Sequence, residues 1–397
     1  MKITILMPTR NRVHLLPKAV EAALAQTDGN FELFISDNCS SDGTAEFIAG
    51  LKDGRVRSVR TDRPLSMPDH WNFAYDQALE KTTGDFILLC SDDDALTPDA
   101  IETILRAVKA NPWGRLFQIR AEIYYYDDDI NENKNMIKFQ FPRPEGVERI
   151  NGRAHVRSML STFAANFPGP GMVKRELLKE VKARYGKIFH QWAPDYSSGV
   201  LLMLLAGEFG RISPPVLLWG KGRASYGSGS QANPDHLLEF MRQFPEFDGR
   251  LDMTPYPDLI TVNNMVVDTM LRTSRMLGAE GAWMRINDMA YRRHLREDIR
   301  IYQSYGHHRF DSFVAQVAGD RSRTRVSDWV DLQMAKMPKR VARWKRAFWP
   351  SNIVARLQGR GPKTVKIRGS EAGFSDIASA AKYYVQASRD KSIWPRR

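Results

Sequence analysis

The stretch that most constrains the fold is Phe86-Ile-Leu-Leu-Cys-Ser-Asp-Asp-Asp-Ala-Leu-Thr-Pro98. Phe86 to Cys90 is apolar on both faces, as a strand in the middle of a parallel sheet must be. It runs directly into Asp92, Asp93 and Asp94, which places three carboxylates at a strand's carboxyl end, where open α/β sheets bind ligands. Two such charges about 4 Å apart repel by roughly 4 kcal/mol at an effective dielectric of about 20, against about 1 kcal/mol in water. The cluster must therefore be solvated or neutralised by a cation. Hard oxygen ligands suit Mg2+ or Mn2+, ions that commonly bridge protein carboxylates to phosphates.

The residues around this strand alternate strand and helix signals. Ile3–Met7, Phe31–Ser36, Val56–Val59 and Leu116–Tyr126 are expected as strands. Leu15 to Leu24, Ala45–Leu51, Trp71–Leu79 and the run after Thr97 are expected as helices, with Thr97 as N-cap and Pro98 at the first helical position. This alternation predicts an α/β fold with a mostly parallel sheet flanked by helices. Asn131 to Gly152 is polar and broken by Pro142, Pro144 and Gly146, and is expected to be an excursion loop. Gly152–Tyr185 is expected to be helical around a turn at Pro168–Gly171, Asp195–Ala206 a helix and Val216–Trp219 a strand. Gly220–Gly229 is expected to be mobile. Helical patterns at Leu259–Leu277 and Trp283–Tyr302 suggest a C-terminal helical appendage. The expected division is 1–230 for the sheet domain, 231–340 for the helical region and 341–397 for a basic tail.

Charge supports setting the tail apart. The net charge is +12, yet Lys336–Arg397 holds 16 Lys and Arg against three acids, so the remainder is near neutral. A neutral body argues against nucleic acid as partner, and the tail suits a local anionic contact such as a membrane surface. Trp344, Phe348 and Trp349 among its basic residues would equally suit a surface helix or packing onto the body. Apolar runs such as Val200–Ala206 fall far short of the roughly 20 residues of a membrane helix. The N-terminus is too briefly apolar for a signal peptide. Cys39 and Cys90 form no disulfide framework, and a reducing, cytoplasmic location is the simplest expectation.

Three segments follow strand ends and should face one crevice: Pro8-Thr-Arg-Asn-Arg12, Asp37-Asn-Cys-Ser-Ser-Asp-Gly-Thr44 and Ser91-Asp-Asp-Asp94. Together with Gly84–Ile87 and the Leu96-Thr-Pro98 that follows the acidic cluster, their order and spacing resemble the nucleotide-binding half of the family 2 glycosyltransferases, inverting enzymes of the GT-A fold. The resemblance is strong to about residue 110 and weaker to about residue 230. It implies that Pro8, Thr9, Asn11, Arg12, Asp37, Asn38 and Asp92 bind the nucleotide, with Asp37 accepting from a base N–H. It also implies that Asp93 and Asp94 bind Mn2+ or Mg2+, although Ser91 stands where the family pattern has its first Asp. Trp192-Ala-Pro-Asp-Tyr196 resembles the segment that supplies the family's catalytic base, which would be Asp195. The implied activity is transfer from a nucleotide-sugar donor, UDP first with dTDP and GDP as alternatives, to a glycan or lipid-linked acceptor at the inner membrane face. Ser225–Gly229 could close over the diphosphate.

Other functions remain to be weighed. Asp37–Thr44 would also serve as a turn and cap, and Asp195 as an ordinary N-cap. His190, without a spaced partner, fits packing better than metal ligation. A nucleotidyltransferase would need a Gly-rich phosphate loop, which Met7–Arg12 lacks, and an oxidoreductase would need Gly-x-Gly-x-x-Gly after the first strand. A non-catalytic scaffold of the same fold, binding a partner or membrane through its tail, is disfavoured by the intact acidic cluster and Asp195.

Overall fold

The computed structural model describes residues 1–128, 133–162, 171–224, 229–230, 233–244, 250–319, 363–390 and 392. The chain forms two compact units. One comprises Met1–Gly152, Pro168–Ser228 and Thr364–Arg397, the other Arg153–Phe167 and Gly229–Lys363. In chain order the elements are β1 (Ile3–Thr9), α1 (Leu16–Leu24), β2 (Phe31–Asp37), α2 (Thr44–Gly50), β3 (Val56–Arg60), α3 (Met67–Lys81), β4 (Phe86–Leu89), β5 (Ala95–Leu96), α4 (Ala100–Ala110), β6 (Leu116–Tyr125), β7 (Met136–Phe141) and β8 (Val147–Asn151). They continue as α5 (Gly152–Thr162), β9 (Met172–Lys174), α6 (Arg175–Tyr185), α7 (Pro194–Ala206), β10 (Glu208–Lys221), α8 (Pro234–Met241), α9 (Val262–Met276), α10 (Asp288–Ser304), α11 (Ser312–Gly319), β11 (Lys363–Arg368), α12 (Gly369–Ala372) and α13 (Ile377–Arg389).

In the first unit β3, β2, β1 and β4 lie side by side and all parallel. β1 and β2 are buried along almost their whole length, which their unbroken apolar runs require. Beside them, α1 buries Leu16, Ala19, Val20 and Ala23, the repeat of an amphipathic helix. Strand order reverses at β1, between β2 and β4, so a crevice opens at their carboxyl ends. β9 runs antiparallel to both β4 and β6, and β10 runs parallel to β6, so β6 and β10 end at that same edge. The fold class expected from the sequence, a mostly parallel sheet flanked by helices with a helical C-terminal region, is the one observed.

The opposite edge of the sheet is tied by charge. Glu32 is buried and its Oε1 accepts from the Gly84 N–H (2.9 Å), the Thr83 N–H (2.8 Å) and Thr4 Oγ1 (3.1 Å), while Lys2 pairs with its Oε2 at 3.2 Å. Gly84 is required here, because a Cβ would lie 2.5 Å from the Thr4 backbone nitrogen. Arg175 donates to the carbonyls of Ala78, Leu79, Thr82 and Gly84, capping the end of α3, whose last carbonyls lack helical partners.

Several expectations need correction. Residues 131–152 are not an excursion loop: β7 and β8 occupy half of the segment, and the Pro142–Gly146 breakers form the link between them. Gly152–Tyr185 is not helical throughout, since β9 intervenes before α6. Helix α4 begins at Ala100 rather than Pro98; Thr97 instead donates its hydroxyl to Asp99 (2.8 Å), which Arg143 and Arg389 hold by ion pairs. Within the stretch set apart as a basic tail, residues 363–390 fold onto the first unit. β11 pairs with β7, and Tyr384, Ile377 and Phe374 pack with Tyr124, Ile137, Phe139 and Leu218. The lid residues Ser225–Ser228 and the aromatics Trp344, Phe348 and Trp349 lie outside the described residues.

The second unit is helical. Thr261 and Asn287 cap α9 and α10 through their side chains. Its core holds a polar network in which Asn264 donates to the carbonyls of Tyr256 and Leu259 and accepts from the Tyr291 hydroxyl. Asp298 accepts from the Asn263 backbone (3.1 Å) and side chain (2.6 Å), and burial pushes its carboxyl up to about 6.

Candidate active site

The parallel register sets Thr9 directly beside Asp37 at the ends of β1 and β2. Beyond β4 the chain turns through Ser91–Asp94 into β5, so the three carboxylates meet the β1 end. Thr9 Oγ1 donates to Asp92 Oδ2 at 2.7 Å. Arg12 Nη1 lies 3.4 Å from Asp92 Oδ1 and 3.5 Å from Asp93 Oδ2, and its Nη2 donates to the Ala224 carbonyl at 2.5 Å. One guanidinium thus joins the β1 loop, the acidic turn and the exit of β10. The third carboxylate is fixed differently: the Gly220 N–H donates to Asp94 Oδ1 (2.9 Å), and the Tyr126 hydroxyl donates to the Asp93 carbonyl (2.8 Å). Gly220 lets β10 approach this closely, because a Cβ would stand 1.9 Å from the Asp93 carbonyl oxygen.

Two buried acids and a half-buried third, with one guanidinium, are under-neutralised. Burial raises Asp92 against the pull of Arg12. Burial, then the Asp92 charge, pushes Asp93 up to about 6. Asp94 is raised well above the usual carboxylate range by burial and by Asp93. The residues fit a divalent cation in charge and in ligand hardness. Among the described residues no three His, Cys, Asp or Glu side chains converge on one point. An ion here would be held by one or two carboxylates with substrate phosphates completing its shell, the usual arrangement for Mg2+.

The β1 and β2 loops are locked together by Asn11, whose backbone is in the left-handed region (φ 52°), a conformation Asn tolerates. Its N–H donates to Ser40 Oγ (2.8 Å) and its Oδ1 accepts from the Ser41 N–H (2.8 Å). Asn38, by contrast buried, spends its side chain inside the protein, accepting from the Leu65 N–H (2.8 Å) and donating to the Leu65 carbonyl (2.9 Å). Asp37 accepts from the Ser40 N–H (3.1 Å); its Oδ2 faces Arg60 at 3.3 Å and, among the described residues, accepts no hydrogen bond, although buried. Pro8 is half-buried one residue before Thr9.

Asp195 opens α7 behind Pro194 and is half-buried. Burial raises its carboxyl to about 6, against hydrogen bonds from the helix's first N–H groups. Helix α7 packs on β6 and β10, the strand that fixes Asp94. Among the described residues no hydrogen bond or ion pair joins Asp195 to the Asp92–Asp94 turn. His190 bonds the Lys187 carbonyl through Nε2 (3.0 Å), in keeping with packing.

The structure therefore gathers Thr9, Arg12, Asp37, Asp92, Asp93 and Asp94 at one edge and makes Asn11 and Asn38 the braces of its loops. Arg60, Tyr126 and Gly220 are site residues that the sequence reasoning missed. A glycine flanked by strand residues was the one available signal, since it marks a close backbone approach.

Residues 4–182 match the model of Glycosyl transferase family 2. That segment, somewhat under half of the chain, is similar to this family and carries every strand-end motif of the crevice but not Asp195 or Gly220. Over 112 residues the chain is 30% identical to the GalNAc(5)-diNAcBac-PP-undecaprenol beta-1,3-glucosyltransferase of Campylobacter jejuni, a stretch that is 28% of this chain and 35% of that one. Over 100 residues it is 27% identical to an Escherichia coli protein, UDP-Glc:alpha-D-GlcNAc-diphosphoundecaprenol beta-1,3-glucosyltransferase WfgD, covering 25% of this chain and 38% of the relative. The match thus spans well under half the length of these curated relatives. Among solved structures, Staphylococcus aureus TarS 1-349 in complex with UDP-GlcNAc aligns with a TM-score of 0.46 and 14% identity, covering 86% of this chain and 92% of that one.

Proposed function

We propose that the chain moves a sugar from a nucleoside-diphosphate sugar, with UDP as nucleotide, to a hydroxyl of a glycan or lipid-linked glycan, inverting the anomeric carbon. The observation that carries this reading is the joining of Thr9, Arg12, Asp92 and Asp93 at the strand-order reversal, beside Asp37. Asp37 Oδ2, buried beside Arg60 and accepting no hydrogen bond among the described residues, suits a base N–H. The names of the two bacterial relatives, which specify undecaprenol-linked acceptors, support the acceptor class.

In this reading Asp195 takes the proton of the attacking hydroxyl. The new bond forms from that oxygen to the anomeric carbon as the bond to the diphosphate oxygen breaks, and the diphosphate leaves with the electron pair. A carboxyl near 6 is mostly ionised at neutral pH yet still basic enough to accept a proton. A divalent ion held by Asp93 and Asp94 would neutralise charge on the departing diphosphate. Arg12 keeps Asp92 and Asp93 paired, and Gly220 with Tyr126 fixes the turn that carries them.

Calorimetric titration of UDP with and without Mn2+, followed by donor hydrolysis across a panel of nucleotide sugars, tests the proposal. Metal-independent binding, or no binding of any nucleoside diphosphate, refutes it. The proposed location is the cytoplasmic membrane face. Residues 336–362 carry eight Lys and Arg and no acid, a segment suited to anionic lipid at about 1 kcal/mol per basic residue near the surface. No helix among the described residues is long and apolar enough to cross a membrane. Replacing those eight residues with Gln should abolish flotation with anionic vesicles and spare UDP binding; unchanged flotation removes the membrane role.

A further inference from the structure

Trp219 sits on β10 immediately before Gly220, the residue whose N–H fixes Asp94. Alone among the described tryptophans it is exposed, at 47% of its surface. Its neighbours on the strand are not: Leu218 is fully buried in the core that α13 covers, together with Tyr124 and Ile137. Side chains alternate along a strand, so Trp219 projects from the other face of the sheet. In register beside it on β6 is Ile123, and beyond Ile123 on β7 is Lys138. One step toward the crevice edge, Lys221 pairs with Tyr125, the Lys221 ammonium lying 5.8 Å from the centre of the Tyr125 ring. β10 and β6 run in the direction of β4, so this surface of Trp219, Ile123 and Tyr125 ends at the edge that carries Thr9, Asp37 and the acidic turn.

A half-exposed indole next to the acidic turn offers a flat apolar face that a ligand bound there can cover. The cover must be small enough to sit beside the acidic turn, flat and apolar on one side, and polar at its rim, because Lys138 and Lys221 stand at the margins. A pyranose ring has this shape: axial C–H bonds make one face apolar, and hydroxyls ring the edge. We infer that Trp219, backed by Ile123 and Tyr125, is the platform on which the acceptor sugar stacks, with Lys221 at the rim to donate to its hydroxyls. The inference rests on the proposed transferase activity and adds to it the place and chemistry of acceptor recognition.

The test is saturation-transfer NMR on the full chain with the methyl glycosides of glucose, galactose and N-acetylglucosamine at millimolar concentration. It is run beside calorimetric titration of UDP with Mn2+. Ring protons of at least one glycoside should receive saturation from the wild-type protein. Trp219→Ala should weaken that binding by about tenfold, the scale of a lost aromatic contact, and Trp219→Phe should restore part of it. UDP affinity should be the same in all three proteins, which also shows that the variants are folded. Undiminished saturation transfer in Trp219→Ala overturns the inference. So does a wild-type protein that binds UDP but none of the glycosides, or a parallel loss of UDP affinity. A wild-type protein that binds no nucleoside diphosphate overturns the transferase reading itself, and this inference with it.

Discussion

Substituting Gly220 by Ala is the sharpest probe of how the acidic turn is held. The added methyl group would lie 1.9 Å from the Asp93 carbonyl oxygen and 2.7 Å from the Tyr126 ring. A comfortable C···O separation is about 3.3 Å, so β10 and the turn must part by roughly 1.4 Å. The obstacle is a backbone atom and cannot rotate away. That displacement stretches the 2.9 Å bond from Gly220 N–H to Asp94 past hydrogen-bonding range. Overpacking costs about 1–3 kcal/mol, and a lost bond to a charged group about 1.5–3 kcal/mol. The two are not independent, so a destabilisation of about 3–4 kcal/mol is expected from urea unfolding. Moving catalytic groups by about 1 Å costs on the order of 100-fold in rate, so donor hydrolysis should fall by about that factor. Gly222→Ala is the control: its methyl group would meet Asp128 Oδ2, the end of a side chain, at 2.5 Å, and the nearest ring and Cβ atoms of Tyr126 at 3.1 Å. It should be much milder. Wild-type stability and activity in Gly220→Ala, or equal damage in both variants, would refute the reasoning.

Asp195→Asn should lower transfer by about 10²–10⁴-fold while leaving UDP affinity unchanged. If Asp195 is the base, as proposed, wild-type transfer should be flat above its carboxyl's value of about 6 and fall about tenfold per pH unit below it, because only the ionised form accepts a proton. Asp298 has a folded value of about 6, above its unfolded one near 4. Its contribution to stability is complete below about pH 4 and is lost as pH rises through about 6, to the extent of about 3 kcal/mol. Urea midpoints of wild type minus Asp298→Asn should therefore decline between pH 4 and 7, and a flat difference would contradict the assignment. Arg143 pairs with buried Asp99, so Arg143→Met should cost about 3–5 kcal/mol by leaving that carboxylate poorly compensated. A thermal midpoint equal to wild type would exclude that role.

The first strands were readable because their signal is local. Ile3–Thr9 and Phe31–Asp37 are unbroken apolar runs, and parallel pairing of such runs puts the residues that follow them at one edge. What could not be read depended on distant partners. The start of α4 is set by Asp99, held by Arg143 and Arg389, which lie 44 and 290 residues along the chain. β9 has three residues, too few for any period to show. β7 alternates Met136, Lys138 and Gln140 with Ile137, Phe139 and Phe141, but the prolines after it dominated the local pattern. At the site, the carboxylates were legible and their supports were not. Asn11 and Asn38 read as ligand-binding residues, yet the Asn11 side-chain oxygen accepts from the Ser41 N–H at the surface and the Asn38 amide bonds the Leu65 backbone inside the protein. Arg60 and Tyr126 belong to no short motif and gain a role only when β3 and β6 are in place.

The return of residues 363–390 to the first unit bears on how the molecule is born. Val365, Ile367, Ile377 and Tyr384 seal a surface of Tyr124, Phe139 and Leu218 that was synthesised long before them. While the second unit is still emerging from the ribosome, that surface lacks this cover, and the nascent sheet must wait, open to chaperones or to self-association, for residues 363–390. A gene fragment stopping at residue 230, where the sequence suggests a domain boundary, would make this temporary exposure permanent.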